Sequence, residues 1–116
     1  MRLATVRTPG GTAAVRVEGQ HGVLIDGVAD VGALLGRKDW RSLAEQATGR
    51  QVPMDDLHTV IPHPGKVICV GLNYRAHILE MGRPIPEYPT LFAKFADALI
   101  GPTDPIEIPS TAAVGP

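Results

Sequence analysis

Hydrophobic and polar positions along the first fifty residues alternate in two different rhythms. Residues 2–7 and 12–18 read as short strands. In the second, Ala13, Val15 and Val17 alternate with Ala14, Arg16 and Glu18, a period of two. Between them Thr8-Pro9-Gly10-Gly11 predicts a turn, because proline fixes φ and glycine accepts positive φ. Val23-Leu24-Ile25 gives a third strand, entered through the Gly19–Gly22 turn and left at Asp26-Gly27. A small antiparallel meander is the expected result. The rhythm then changes to that of helices. Asp30 is placed to cap a short helix carrying Val31, Leu34 and Leu35 and stopped at Gly36. Asp39 is placed to cap a second, in which Trp40, Leu43, Ala44 and Ala47 form one apolar stripe before Gly49.

Residues 51–65, QVPMDDLHTVIPHPG, lose periodicity and hold three prolines. They are expected to be a linker lying across a neighbouring surface, with a short extended stretch at Leu57 to Ile61. From Lys66 the pattern is again regular. Lys66 to Val70 predicts a buried, β-branched-rich strand ending at Gly71. Asn73 is the expected cap of a helix over Tyr74 to Met81, stopped at Gly82. An extended, proline-broken loop follows. Further strands are expected at Leu91–Phe95, at Ala98–Ile100 and, after a Gly101-Pro102 turn, at Ile106–Ile108.

Composition adds limits. The 116 residues suffice for one small domain or for a domain and part of another. A net charge of −1 argues against a broad basic surface, so neither nucleic acid nor an acidic membrane is an expected partner. The longest apolar run, Val67 to Leu72, is far short of the ~20 residues of a membrane span. No secretory signal is visible at the start, and the one cysteine, Cys69, fits a reducing compartment. A cytoplasmic, water-soluble protein is therefore expected. Thirteen glycines and eleven prolines against 4% aromatics leave little side-chain volume for a core, as in a segment of a larger sheet assembly.

One constellation carries chemistry. His77 and Glu80 lie three residues apart on a predicted helix, so both project from one face. A carboxylate bonded to one imidazole nitrogen fixes the tautomer and leaves the other free to accept a proton. Spacing alone also fits a solvated ion pair. His58 and His63 have no acidic or cysteine partner at metal spacing, and His21 falls in a turn. Cys69 reads as a small apolar filler, Arg75 as a solvated side chain, and Tyr74 as a packing residue. A phosphate loop at Val70–Tyr74 is excluded by glycine spacing and by the missing Lys-Ser/Thr ending.

The block Val70-Gly71-Leu72-Asn73-Tyr74-Arg75-Ala76-His77-Ile78-Leu79-Glu80 resembles the N-terminal motif of the fumarylacetoacetate hydrolase catalytic domain. Pro89-Thr90-Leu91-Phe92-Ala93-Lys94 and Leu99-Ile100-Gly101-Pro102 follow in family order, and residues 1–50 look like the small N-terminal domain of many bacterial members. The resemblance implies an α+β, mainly β fold. A small N-terminal domain (1–50) and a Pro-rich linker (51–65) would precede the first strands and lid helix of a β-rich catalytic core (66–116, incomplete). It implies an enzyme acting on C–C bonds of α-keto or 1,3-diketo acids, with a divalent ion (Mg²⁺, Mn²⁺ or Ca²⁺) chelated by the substrate. His77 and Glu80 would be catalytic, activating water, and their helix would act as a lid. Lys94 would meet a substrate carboxylate. The same fold admits 2-hydroxyhepta-2,4-diene-1,7-dioate isomerase or oxaloacetate decarboxylase-type activity. The family's acidic metal ligands are expected after the end of this chain. Glu87, Asp97, Asp104 and Glu107 match none of them, so no metal ligand is assigned, and Asp97 stands where a small or hydroxyl residue is expected. The expected partners are a keto-acid substrate and, for the complete protein, a second copy in a homodimer. Residues 1–116 alone are expected to be inactive. A non-catalytic structural or interaction module is the competing reading.

Overall fold

The computed structural model describes residues 1–108 and is mainly β with short helices, an α+β arrangement. Strands β1 (Leu3–Thr8), β2 (Gly11–Glu18) and β3 (His21–Leu24) form the expected meander. Thr8 pairs with Gly11 and Glu18 with His21, so each connection has only two residues. Gly19, at φ 58, takes the left-handed conformation that so tight a turn favours.

A fourth strand, β4 (Gln51–Pro53), pairs with β3, so the segment expected as a linker begins inside the sheet. Three residues, the last of them Pro53, carry no alternation long enough to show a strand. The chain then crosses to the far edge, where Leu57 bridges Val6 and the amides of Arg7 and His58 are exchanged with the carbonyls of Asp56 and Thr5. Five residues reach at most ~18 Å. In a flat sheet Val52 and Leu57 would be roughly 23 Å apart, four strand spacings across and about four residues along. The sheet must therefore curl, almost into a barrel.

Both faces of the curled sheet are covered. On the inner face Ala4, Val6, Val15 and Val52 form a buried cluster closed by Met54 and Leu57. Space there is so tight that a Cβ on Gly22 would lie 2.8 Å from Val15 and 2.9 Å from Met54. On the outer face Ala14, Ile25 and Val28 pack under helices α1 (Val31–Leu35) and α2 (Trp40–Glu45), which contribute Leu34 and Ala44. The predicted α2 stripe is in place, with Trp40, Leu43 and Ala47 against this cluster. Asp30 caps α1, accepting from the Ala33 amide at 2.8 Å. Asp39 does not cap α2, because its carboxylate is held by Arg37 at 3.2 Å instead. The last carbonyls of α2, on Ala44 and Glu45, accept from Arg16 of β2, which clips the helix to the sheet.

The second half is thinner. Among the described residues, strand β5 (Val67–Gly71) pairs only with β6 (Thr90–Lys94) in a two-stranded ribbon. β5 is not the buried strand expected: Ile68 is 63% exposed and Leu91 across the ribbon also 63%, because none of the described residues forms a layer over that face. Where a strand was predicted at Ala98–Ile100, a single 3-10 turn at Ala96–Ala98 takes its place, and no strand forms at Ile106–Ile108. With no adjacent strand to pair with, an apolar run has no ladder to join. The Gly101-Pro102 turn is present, closed by the Asp104 amide on the Gly101 carbonyl.

Candidate functional site

Helix α3 (Arg75–Glu80) connects β5 to the extended segment that leads into β6. The chain leaves β5 through Leu72, the only non-glycine residue with positive φ (50°) among those described. Such a backbone is costly for a branched aliphatic residue and marks a turn that its surroundings enforce. Tyr74, not Asn73, occupies the cap position, without a side-chain bond to the helix, and its ring is 76% exposed instead of packed. Lacking a polar cap, the helix starts one residue later than expected and spans six residues. Its other end is better defined. The Arg83 amide donates to the Ile78 carbonyl and the Gly82 amide to that of Leu79, while Gly82 takes φ 64. That is a Schellman closure, which explains the stop at Gly82.

Ile78 anchors the helix, at 3% exposure. His77 and Glu80 are brought together as predicted, with His77 Nδ1 3.7 Å from Glu80 Oε2. That separation permits an ion pair but exceeds hydrogen-bonding range, and both side chains are mostly in solvent. The imidazole is thus beside its carboxylate but not locked by it.

A cleft of about 340 Å³ opens where Gly71, Leu72 and Asn73 face residues 85–90, with Arg75 and Ile78 on its helical wall. Residues 75 and 78 lie on one side of the helix, and at 100° per residue positions 77 and 80 fall on the opposite side. The cleft and the His–Glu pair therefore occupy different faces of α3. Lys94 is not brought to the pair. It lies opposite Val67, four residues along the ribbon from the Gly71–Thr90 end, or roughly 13 Å. Its ammonium rests 5.6 Å from the Phe92 ring centroid. Cys69 is half-buried across from Phe92. Asp97 is the middle residue of the 3-10 turn.

Among the described residues no three His, Cys, Asp or Glu side chains are close enough to hold a metal ion. These residues do not make a divalent-ion site, and no chemical step through one is derived from them.

Sequence reasoning missed Arg7. Its guanidinium pairs with Asp56 at 3.0 Å and Asp104 at 2.5 Å and donates to the Leu57 carbonyl at 2.9 Å. The Asp104 carboxyl is held below the usual carboxylate range by Arg7 first and by the Gly101 amide second. Partners 49 to 97 residues away leave no local signal.

Residues 66–114 match the family model described as fumarylacetoacetate (FAA) hydrolase C-terminal. Residues 66–114 are thus a fumarylacetoacetate-hydrolase-family segment. Over 49 residues, 42% of this chain and 15% of the relative, it is 51% identical to the mitochondrial oxaloacetate tautomerase fahd2 of Xenopus laevis. Protein Rv2993c of Mycobacterium tuberculosis is 34% identical over 97% of this chain and 41% of its own length. Among solved structures, a candidate HpcE protein of Mycobacterium smegmatis superimposes with a TM-score of 0.70 at 26% identity, over 91% of this chain and 40% of that one. An uncharacterised protein of Mycobacterium abscessus gives 0.60 at 32% identity, over 96% and 40%. The chain thus spans about two fifths of the relatives that align along its whole length, and far less of the frog tautomerase. The His77–Glu80 helix lies inside the matched segment, and the mainly β fold is consistent with that of the structural neighbours.

Proposed function

We propose that this chain supplies the small N-terminal domain and the His–Glu helix of a fumarylacetoacetate-hydrolase-family enzyme that acts on small 2-oxo acids through an enol or enolate. The carrying observation is the His77–Glu80 pair, 3.7 Å apart on α3, within the segment that matches the family model, and it is supported by 51% identity over 49 residues to an oxaloacetate tautomerase. Keto–enol interconversion is the reading favoured first. A proton leaves the carbon next to the carbonyl for the imidazole, the C–H electron pair becomes the C=C bond, and the carbonyl oxygen takes up a proton. His77 would carry that proton, and Glu80, closing to hydrogen-bonding distance, would orient the ring and stabilise its charged form. Closure of α3 over substrate would exclude bulk water.

A second reading, hydrolytic C–C cleavage of a 1,3-diketo acid with His77 activating water, is favoured by the description of the matching family model. Both readings share the pair and the substrate class. In either, Lys94 is proposed to meet a substrate carboxylate only after a rearrangement that shortens its distance from α3. A divalent ion held by residues outside those described, a homodimer, a cytoplasmic location and a catalytic segment that starts at residue 66 belong to the same proposal. The competing reading is a non-catalytic module.

The test is the decay of enol oxaloacetate absorbance, followed with the enzyme that carries this segment and with the 116-residue chain alone. Replacing His77 by Ala is expected to lower kcat by about 10²–10⁴-fold, with KM changed less. The isolated chain is expected to show no turnover with or without divalent ion. Full activity in the His77→Ala enzyme would overturn the assignment of the pair. Turnover of an acylpyruvate but not of oxaloacetate would select the hydrolytic reading.

A further inference from the structure

Residues 66–100 leave the N-terminal sheet, form the β5–α3–β6 ribbon, and return to that same sheet at Gly101. Two kinds of contact meet at the neck. The floor is apolar, with Ala4, Leu57 and Val60 facing Ile100 and Pro102 around a small depression. The rim is ionic, and Arg7 of β1 forks between Asp56 and Asp104 while also binding the Leu57 carbonyl. Asp104 is used twice, since it also accepts from the Gly101 amide at 2.7 Å and so fixes the returning turn. Gly101 is buried, and a Cβ there would collide with the Leu57 carbonyl and come within 2.9 Å of Asp104. Only glycine lets the turn approach this closely.

We propose that Arg7 and Asp104 form an electrostatic latch that closes the neck of this excursion. The N-terminal sheet would then fix where the helix-bearing ribbon departs and returns, presenting α3 from a closed loop instead of a loose one. The physical case is that the pair is two-thirds or more shielded, at 31% and 26% side-chain exposure, and bonded at 2.5 Å. A charge-assisted bond of that kind outweighs the ordinary surface ion pair. Each end is also held by further bonds, so little side-chain freedom remains to be lost on closing. The ionisable groups facing Asp104 are Arg7 from β1 and His58 from the segment after β4. Arg7 additionally faces Asp56, which is 67% exposed and more open to solvent screening. The latch does not depend on the chemistry assigned to His77, so the two proposals fail separately.

Amide hydrogen exchange on the 116-residue chain tests it, comparing the wild type with Arg7→Met and Asp104→Asn. Exchange at Gly101 and Asp104 is expected to accelerate at least tenfold in both variants, while amides of Ala14 and Val15 in the central strand change less than threefold. Asp104→Asn leaves Arg7 its bonds to Asp56 and Leu57, so it separates the latch from general support of the first strand. Unchanged exchange at Gly101 in both variants would overturn the latch. So would acceleration of Ala14 and Val15 by the same factor, which would make Arg7 and Asp104 general stabilisers of the fold.

Discussion

Thr5 shows how much one side chain can organise. It has no exposed surface, and its hydroxyl donates to the Val60 carbonyl at 2.7 Å while accepting from the Val31 amide at 3.1 Å. One oxygen thus ties β1 to the start of α1 and to the segment that follows β4. Thr5→Val keeps the shape and strands both backbone partners. A buried polar group left unpaired costs about 1–3 kcal/mol. The variant is expected to lose about 2–4 kcal/mol of unfolding free energy in a urea titration, with an unchanged m-value, and a loss below 0.5 kcal/mol would contradict this account. Nothing in the sequence identified Thr5, since a threonine in a strand is ordinary and its partners lie 26 and 55 residues away. The two helix caps show the same limit. Asp30 and Asp39 look alike in sequence, yet only Asp30 caps, because Arg37 lies close enough to claim the Asp39 carboxylate.

Among the elements, α3 depends on its closure more than on its propensity. Six residues are too few for a helix stable by itself. Buried Ile78 and the Schellman bonds through Gly82 hold it. Gly82→Ala forces a Cβ into φ 64, although the space around it is open. A cost of about 1 kcal/mol is expected, appearing as faster amide exchange at Met81, Gly82 and Arg83 with β1–β3 unaffected. The meander, α1, α2 and the apolar helix stripe were legible because their periods are local. The exposed β5 was not, since a β-branched run reports only that a strand fits and says nothing of what covers it. β4 and the crossover to Leu57 were hidden because only the curl of the sheet makes three residues into a strand. The neck carries a pH signature of its own. With the Asp104 carboxyl held below its usual range, its contribution to stability is fully present above about pH 4, where the unfolded group is also ionised. It is lost as pH falls through the lowered value, so wild type and Asp104→Asn should differ in midpoint temperature at pH 6, and the gap should shrink as the pH is taken down below about 4. A gap that does not narrow with acidification would mean the substitution acts through something other than charge.

For the molecule as a whole, the decisive contrast is between a sheet covered on both faces and a ribbon covered on neither side completely. Residues 1–58 contain both buried clusters. Of the buried apolar side chains, only Ile78 lies beyond that stretch among the described residues. Ile68, Val70 and Leu91 share one ribbon face and stand open to water, with unpaired strand edges on either side. Stability that follows buried apolar surface must therefore be unequal along the chain. Exchange on the isolated chain is expected to be slowest at the paired amides of β1–β3 and at least a hundredfold faster throughout β5 and β6. The amides of Gly101 and Asp104 should fall between these limits, because the neck clamps them to the stable half. Equal protection of β2 and β5 would mean that the ribbon draws stability from contacts other than these, and the bare face of Ile68, Val70 and Leu91 would then be covered in solution. In a longer protein that supplied a partner for this face, the hundredfold gap should narrow.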